Sequence, residues 1–288
     1  GWFYTLMTIG TLVFDQSSYK TVLCLGHILD KDGRKMSKHL GNVLEPMALM
    51  DQHGADAVRW YMLAAGSPWA ARRVGHDSIN EVVRKTLLTY WNTVSFHALY
   101  ANASHFELSQ TPALSDRPLM DRWIISELNT LVQEVDAALE DFDSQIAGRA
   151  LARFIDDLSN WYVRRSRRRF WDGDVAALGT LHECLVKLTQ LLAPLVPFIT
   201  EQVWQELVIP ADAQQPASVH LSDWPAVNTA AIDAELASQV ALTRRIVELG
   251  RATRAESGIK IRQPLGRALI AASGWSTLPE AMREQIAD

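Results

Sequence analysis

Two lysines stand three residues apart in a polar segment with the sequence DKDGRKMSKHLGN, residues 30–42. Lys35 and Lys38 can present two mobile amines to one anion, while Ser37 can donate a hydroxyl hydrogen bond and Met36 can anchor the opposite side. Glycines on either side allow the backbone to bend. Such a segment can bind a phosphate or a nucleic-acid backbone, or it can be a basic turn exposed to water, and the spacing alone does not decide among these.

A second basic segment, LSNWYVRRSRRRFW at residues 158–171, carries five arginines. They are Arg164, Arg165, Arg167, Arg168 and Arg169. With about 100° between successive helical residues they spread over about half the circumference, which is too wide for one ridge. Some must therefore pair with acids or stack on aromatic rings, as Arg165 can on Trp161 four residues earlier. The others can reach phosphates. The alternative is a purely structural network of ion pairs with Asp156, Asp157 and Asp172.

Length and composition limit what these clusters can mean. The chain has 288 residues, 48% hydrophobic and 21% charged, which is typical of a globular protein, and its length predicts two domains. Its net charge of −5 gives no overall signal for nucleic-acid binding, so any such site must be a local patch. Cys24 and Cys184 are expected to be buried thiols in a reducing compartment. No apolar run is long enough to span a membrane.

The elements around the lysine segment are predicted to form the end of an α/β unit, which would position it. Residues 2–14 are predicted to be helical, and residues 21–29, TVLCLGHIL, are predicted to be a buried strand. Two short helices should follow, the first opened by Pro46 and ended by Gly54. The chain begins as though inside a helix, so we expect it to be a fragment of a larger protein.

The arginines fall in a region whose apolar residues recur every three or four positions. Residues 77–208 therefore predict long amphipathic helices, with Asp77 or Ser78 as the first cap, that form a bundle of four or five. A linker at 209–231, a last helix at 232–256 and a strand at 267–273 complete the expected elements.

The lysine segment resembles the KMSKS loop of class I aminoacyl-tRNA synthetases. KMSKH follows a predicted strand and precedes LGN and then GADAVR, with His39 in place of the last serine of the motif. The resemblance implies that Lys38 stabilises the triphosphate of ATP, with Lys35, Met36 and Ser37 completing the ATP site. Mg²⁺ would accompany ATP, and no metal site is expected in the chain itself.

Longer strings are similar to the isoleucyl branch of that family. They are GWFYTLM, AGSPWAARRVGHDSI, NWYVRRSRRRFW and SGIKIRQPL. The resemblance implies a mainly α fold, with a remnant of a Rossmann-like catalytic domain followed by an antiparallel helical bundle that binds the anticodon. The implied domain limits are 1–45 for the catalytic remnant, 46–76 for a connecting segment, 77–209 for the bundle and 210–288 for a C-terminal part.

The same resemblance implies tRNA(Ile), ATP and isoleucine as partners of a cytoplasmic, monomeric protein without a membrane segment. The candidate tRNA contacts are Trp161, Arg164, Arg165, Arg168, Arg72 and Arg73. The last two could instead belong to a solvated hinge. The HIGH motif of the family is absent, so we expect the chain alone not to activate an amino acid. A valyl or leucyl enzyme, a non-catalytic tRNA-binding module and a helical scaffold remain the alternatives.

Overall fold

The N-terminal part of the chain contains one long helix and very little sheet. A computed structural model describes residues 1–260 and 262–287. Helix α1, Trp2–Phe14, confirms the predicted helix, but strand β1 covers only Ile28–Leu29. Residues 21–27 are extended and mostly exposed, and Cys24 is exposed as well. The prediction of a buried strand and a buried thiol here was wrong, because among the described residues no neighbouring strand covers this segment.

Two short helices connect this part to the bundle. Helix α2, Pro46–His53, starts at the predicted proline and is followed by Gly54 at a positive φ of 87°. Helix α3, Ala55–Ala64, buries Ala57, Trp60, Tyr61 and Ala64, while Val58, Met62 and Leu63 are only partly buried. Strand β2, Arg72–Arg73, then pairs in parallel with β1.

Helix α3 is fastened to a distant corner of the bundle by two charged side chains. The Asp56 carboxylate accepts hydrogen bonds from the backbone N–H groups of Phe198 and Ile199, at 3.3 and 2.6 Å. Arg59 donates to the carbonyls of Leu195 and Pro194, at 3.1 and 2.8 Å. Asp56 thereby satisfies N–H groups at the start of another helix, as an N-terminal cap does.

The bundle confirms the predicted series of amphipathic helices. Its helices are α4 (His76–Val82), α5 (Leu88–Ala103), α6 (Leu119–Glu140), α7 (Ser144–Asp156), α8 (Arg167–Trp171), α9 (Val175–Leu192), α10 (Pro197–Val203) and α11 (Ile209–Ala211). Turns of π-helix continue three of them, at Val83–Leu87, Asp157–Val163 and Trp204–Val208. The N-cap of α4 is Gly75, whose N–H donates to the Ser78 hydroxyl, and the predicted caps Asp77 and Ser78 lie inside the helix.

A main hydrophobic core joins most of these helices, because their apolar stripes turn inward. A separate, smaller cluster contains Ala193, Trp204, Val208 and Val219, and Ile209 of α11 packs against it. The largest fully buried side chains of the main core include Trp123, Tyr90, Tyr162, Phe170 and Ile124. Gly148 of α7 lies so close to α3 that a Cβ there would be 2.2 Å from the Ala64 methyl. The two helices can approach this closely only because α7 has no side chain at that point.

The C-terminal part adds the predicted long helix but not the predicted strand. Helix α12, Ala234–Glu256, is capped by Asp233, and α13 covers Glu280–Ala287. Leu236 and Val240 of α12 belong to the same core as the bundle. Residues 267–273 form no strand, because no partner strand lies beside them among the described residues. None of the helices in the described ranges has the length and apolar character needed to cross a bilayer.

Candidate functional site

The lysine segment is a hydrogen-bonded loop that directly follows β1. Leu29 forms an antiparallel bridge with Lys35, and between them the Asp30 N–H donates to the Arg34 carbonyl at 2.9 Å. Gly33 closes this turn with a φ of 82° in the left-handed region, which glycine adopts without steric cost. The backbone of Lys35 is therefore fixed relative to the strand.

Asp30 and Asn42 form the neck of the loop. The Asp30 carboxylate, only 5% exposed, accepts hydrogen bonds from the Arg34 N–H at 2.8 Å and from Asn42 Nδ2 at 2.7 Å. The Asn42 amide also donates to the Lys35 carbonyl at 3.2 Å and accepts from the Ser37 N–H at 2.9 Å. The hydrogen bond from Asn42, followed by that from the Arg34 N–H, lowers the pKa of Asp30 to about 2. One asparagine thus ties both ends of the loop to a buried carboxylate.

In the predicted ATP site, the two lysines at the ends are exposed and the two residues between them are partly buried. Lys35 and Lys38 are exposed, and neither amine makes an ion pair within residues 1–260 and 262–287. Met36 is partly buried and packs against the core, as predicted for an anchor. The Ser37 hydroxyl oxygen accepts from the His39 N–H at 3.3 Å, which leaves the hydroxyl proton available to an incoming acceptor.

A cavity of about 580 Å³ lies behind the loop and extends to the start of α4. Its lining includes Lys31, Arg34, Asn42, Arg73 and His76, but not the lysines of the predicted ATP site. The Arg73 guanidinium packs on the loop, since a Cβ on Gly33 would lie 3.0 Å from its Nε.

Arg72 and Arg73 differ in their surroundings, although they are adjacent. The Arg72 guanidinium donates to the carbonyls of Tyr61, Met62 and Gly66, where helix α3 ends. Since these contacts use its donors inside the fold, the prediction that Arg72 contacts RNA needs correction. The Arg73 side chain makes no ion pair with any residue that the structure describes.

Arg169 belongs to the interior of the bundle. It donates two hydrogen bonds to the Asp121 carboxylate, at 2.6 and 2.8 Å, and a third to Asp174 at 2.8 Å. The Tyr162 hydroxyl also donates to Asp121, at 2.9 Å. Burial alone would lower the pKa of Arg169, but the hydrogen bonds to the two carboxylates raise it above its ordinary value. Arg169 therefore has the structural, ion-pairing role that the sequence left as an alternative for all five arginines.

Trp161 is enclosed between two arginines. The guanidinium carbons of Arg165 and Arg244 lie 4.8 and 5.4 Å from its ring centroid, and Arg244 also pairs with Asp157 at 2.5 Å. The predicted contact of Arg165 with Trp161 is confirmed. The Trp161 ring is only 8% exposed, so it cannot stack on a base, and its assignment as an RNA contact needs correction.

The remaining arginines of the segment face water. Arg164 and Arg167 are exposed and have no ion pair in the described part of the chain. Arg168 has a 94% exposed side chain and one long contact, 3.8 Å, with Asp172. The structure therefore divides the five arginines into a partly buried anchor, a stacked one and three exposed cations. Arg167 was not among the predicted RNA contacts, although it is exposed, as Arg164 is.

Metal ligands are not grouped in this site. Within the described ranges, no set of three or more His, Cys, Asp or Glu side chains could hold a metal ion. The site therefore consists of a lysine loop and an exposed group of arginines, the kind of arrangement that binds phosphates through charge-assisted hydrogen bonds.

Two family models match separate stretches of the chain. Residues 121–269 match the anticodon-binding domain of tRNA ligases, and residues 1–73 match the class I tRNA synthetases specific for I, L, M and V. The first match covers more than half of the chain, so the chain belongs to the family of tRNA-ligase anticodon-binding domains.

Three curated relatives of similar sequence are all named isoleucine–tRNA ligase. The chain is 65% identical to the isoleucine–tRNA ligases of Streptomyces avermitilis and Streptomyces coelicolor and 61% identical to that of Thermobifida fusca. Each alignment covers 100% of this chain but 28% of the relative, so the chain spans about a quarter of their length.

A solved structure has a similar fold and supports the mainly helical part of the predicted fold class. It is that of a leucyl-tRNA synthetase of Agrobacterium radiobacter in a ternary complex with tRNA and LeuAMS. The TM-score is 0.61 at 22% identity, over 81% of this chain and 27% of the other. At this identity the likeness concerns the fold alone.

Proposed function

We propose that this chain is the part of an isoleucine–tRNA ligase that supplies the mobile half of the ATP site and a surface for tRNA. The observation that carries the proposal is the lysine loop, in which two unpaired amines stand on a neck fixed by Asp30 and Asn42. The whole enzyme would join isoleucine to ATP and pass the acyl group to the terminal hydroxyl of tRNA(Ile). Relatives of the same name, 65% identical over the whole chain, support this choice over a valyl or leucyl enzyme.

The chemistry of the loop follows from charge. When the isoleucine carboxylate attacks the α-phosphorus, negative charge grows on the leaving pyrophosphate. Lys38, with Lys35 beside it, can stabilise that charge more in the transition state than in the ground state, which is what accelerates a reaction. Ser37 can donate its free hydroxyl proton to a phosphate oxygen, and Met36 keeps this stretch seated on the core. Mg²⁺ would enter with ATP as part of the substrate.

The proposed RNA surface is formed by Arg164 and Arg168, with Arg165 held beside them by Trp161. Exposed guanidinium groups without strong partners can release counterions and bind phosphates of the anticodon stem and loop. Arg73 is a second, separate candidate, close to the lysine loop. We leave Trp161 and Arg72 out of this surface, because their interacting groups are used inside the fold.

The division of labour would follow the predicted segments. Residues 1–45 would be the Rossmann-like remnant with the ATP loop, 46–76 the connecting segment, 77–209 the anticodon-binding bundle and 210–288 the start of a further region. The partner half of the ATP site, with its HIGH motif, would come from elsewhere in a monomeric, cytoplasmic enzyme. The isolated chain should therefore show no isoleucine-dependent exchange between ATP and pyrophosphate.

Binding of the purified chain to tRNA tests the proposal against a purely structural scaffold. We expect salt-dependent binding that is tighter for tRNA(Ile) than for tRNA(Val) or tRNA(Leu). Arg164→Ala and Arg168→Ala should each lower the slope of log affinity against log salt by about 0.7–0.9, with an unchanged melting temperature. Absence of binding at low salt, or variants that change only the melting temperature, would favour the scaffold.

A further inference from the structure

The C-terminal end of α8 exposes an aromatic ring that the proposed surface does not yet use. Trp171 is 75% exposed, more than any other tryptophan in the described part of the chain. A single exposed apolar side chain is common on protein surfaces and by itself indicates nothing. What distinguishes Trp171 is the combination of a rigid support below it and unpaired positive charge beside it.

The support comes from the two residues that precede the ring. Phe170 is fully buried and makes edge contacts with Phe96 and Tyr162, with centroid distances of 5.2 and 6.1 Å. Arg169 is bound to Asp121 by two hydrogen bonds. These anchors fix the inner face of α8. The outward position of Trp171 is thus set by the backbone and not by a contact of the ring itself.

Positive charge precedes Trp171 in the chain. Arg167 and Trp171 are the first and last residues of α8 and lie four positions apart, which places them on the same side of that helix. Arg164 precedes Ser166, the N-cap of α8, and is exposed as well. Neither arginine has an ion pair among the residues described. Two exposed cations therefore precede an exposed aromatic ring, and one of them, Arg167, lies on the same side of α8 as the ring.

We propose that Trp171 stacks on an unpaired base of single-stranded RNA whose phosphates contact Arg164 and Arg167. An aromatic plane next to a basic track is what single-stranded nucleic acid binds, because every base offers a face for stacking and the backbone offers its charge. A closed duplex hides its base faces and would gain only the contacts of the arginines. The assignment rests on the proposed function, since it deepens the same tRNA surface by naming the part that recognises an open loop.

The test compares two RNAs with this chain. One is the anticodon-arm hairpin of tRNA(Ile), and the other is a fully paired duplex of equal length. Trp171→Ala should weaken binding of the hairpin roughly 5- to 150-fold, the equivalent of about 1–3 kcal/mol of stacking, and leave binding of the duplex unchanged. Arg167→Ala should weaken both RNAs and lower the salt slope by about 0.7–0.9.

Three further variants separate stacking from other causes. Trp171→Phe should keep most of the hairpin affinity, whereas Trp171→Leu should lose it although the side chain stays apolar. Trp2→Ala is the control, because Trp2 is also exposed, at 66%, but the sequence of its helix α1 contains no arginine. All variants should melt at the temperature of the wild type, since these rings are largely in water.

The possible results are distinct. If the wild type binds the hairpin and Trp171→Ala binds it equally tightly, the stacking of Trp171 is overturned, while the proposed function stays in place. A change of self-association in Trp171→Ala, measured by sedimentation, with unchanged hairpin affinity would assign the ring to a contact between copies of the chain. A wild-type chain that binds neither RNA overturns the proposed function itself, and the stacking with it.

Discussion

Replacing Arg169 by methionine should destabilise the bundle, whereas the same change at Arg167 should not. The Asp121 carboxylate is completely buried, and Arg169 supplies two of its hydrogen bonds. After Arg169→Met only the Tyr162 hydroxyl would remain as a donor to the charged carboxylate. Removing one partner of such a buried pair costs about 3–5 kcal/mol, because an uncompensated charge stays in the interior.

Thermal unfolding followed by circular dichroism measures this cost. With an unfolding entropy of about 2.1 cal/mol/K per residue, a chain of this size loses about 1.7 °C per kcal/mol, so the midpoint should fall by about 5–8 °C. Arg167→Met is the matched control, and we expect its stability to change by less than about 0.5 kcal/mol. Asp121→Asn combined with Arg169→Met should recover part of the loss, since no buried charge remains. Equal midpoints for Arg169→Met and Arg167→Met would refute the assignment of Arg169 as the buried anchor.

Three other expectations follow from the same structure. Asn42→Ala removes the acceptor of the Ser37 N–H, so hydrogen exchange of that amide should become roughly 2- to 10-fold faster, since one hydrogen bond is worth about 0.5–1.5 kcal/mol. An unchanged exchange rate would mean that this side chain does not close the neck. Burial lowers the pKa of His97 to about 3 and that of His182 to about 4. As the pH falls below 6.5, these histidines become protonated in the unfolded chain before they do in the folded one. The folded state therefore loses about 2 kcal/mol of stability per histidine by pH 5. Urea midpoints at pH 7.5 and pH 5 check this, and the fall should be about halved in His182→Gln. Gly148→Ala should lower the free energy of unfolding by about 1–3 kcal/mol, because the added methyl group overpacks against α3. Gly250→Ala is the control, since the space around Gly250 is open, and it should stabilise α12 by about 0.5–1 kcal/mol. Equal effects of the two changes in urea denaturation would contradict the close contact between the helices.

The long helices could be predicted from the sequence because their information is local. A stripe of apolar residues at spacings of three and four specifies a helix and its buried face, as in α6 and α9. The two predicted strands failed for the opposite reason. Residues 21–27 and 267–273 have strand composition, but a strand exists only when a neighbour accepts its hydrogen bonds, and that neighbour is not specified by the segment itself.

The roles of the five arginines were predictable as a group but not one by one. The 100° step correctly implied that they could not all face one way. Which of them turns inward depends on the π-helical turn at Asp157–Val163, where one extra residue per turn shifts all later residues around the axis. It also depends on Asp121, a partner 48 residues away in the sequence. Neither the shift nor the partner is visible in the segment alone.

The neck of the lysine loop was missed for a similar reason. Its resemblance to KMSKS drew attention to Lys35 and Lys38, whereas the residues that hold the loop, Asp30 and Asn42, lie at its two ends. An aspartate directly after a strand and an asparagine directly after a glycine are common turn signals. Their joint role appears only when the ends meet, at 2.7 Å between the Asn42 amide nitrogen and the Asp30 carboxylate.

The fastening of α3 to the corner of the bundle has a consequence for the order of folding. Asp56 and Arg59 meet partners that are 135–143 residues further along the chain. Closing so long a loop in an unfolded chain is entropically unfavourable, whereas the intervening helices shorten it by packing on one another first. We therefore expect the bundle to form before α3 docks. The lysine loop, which reaches the bundle through the β1–β2 pair and α3, would then take its position last, after the surface that carries the arginines is complete.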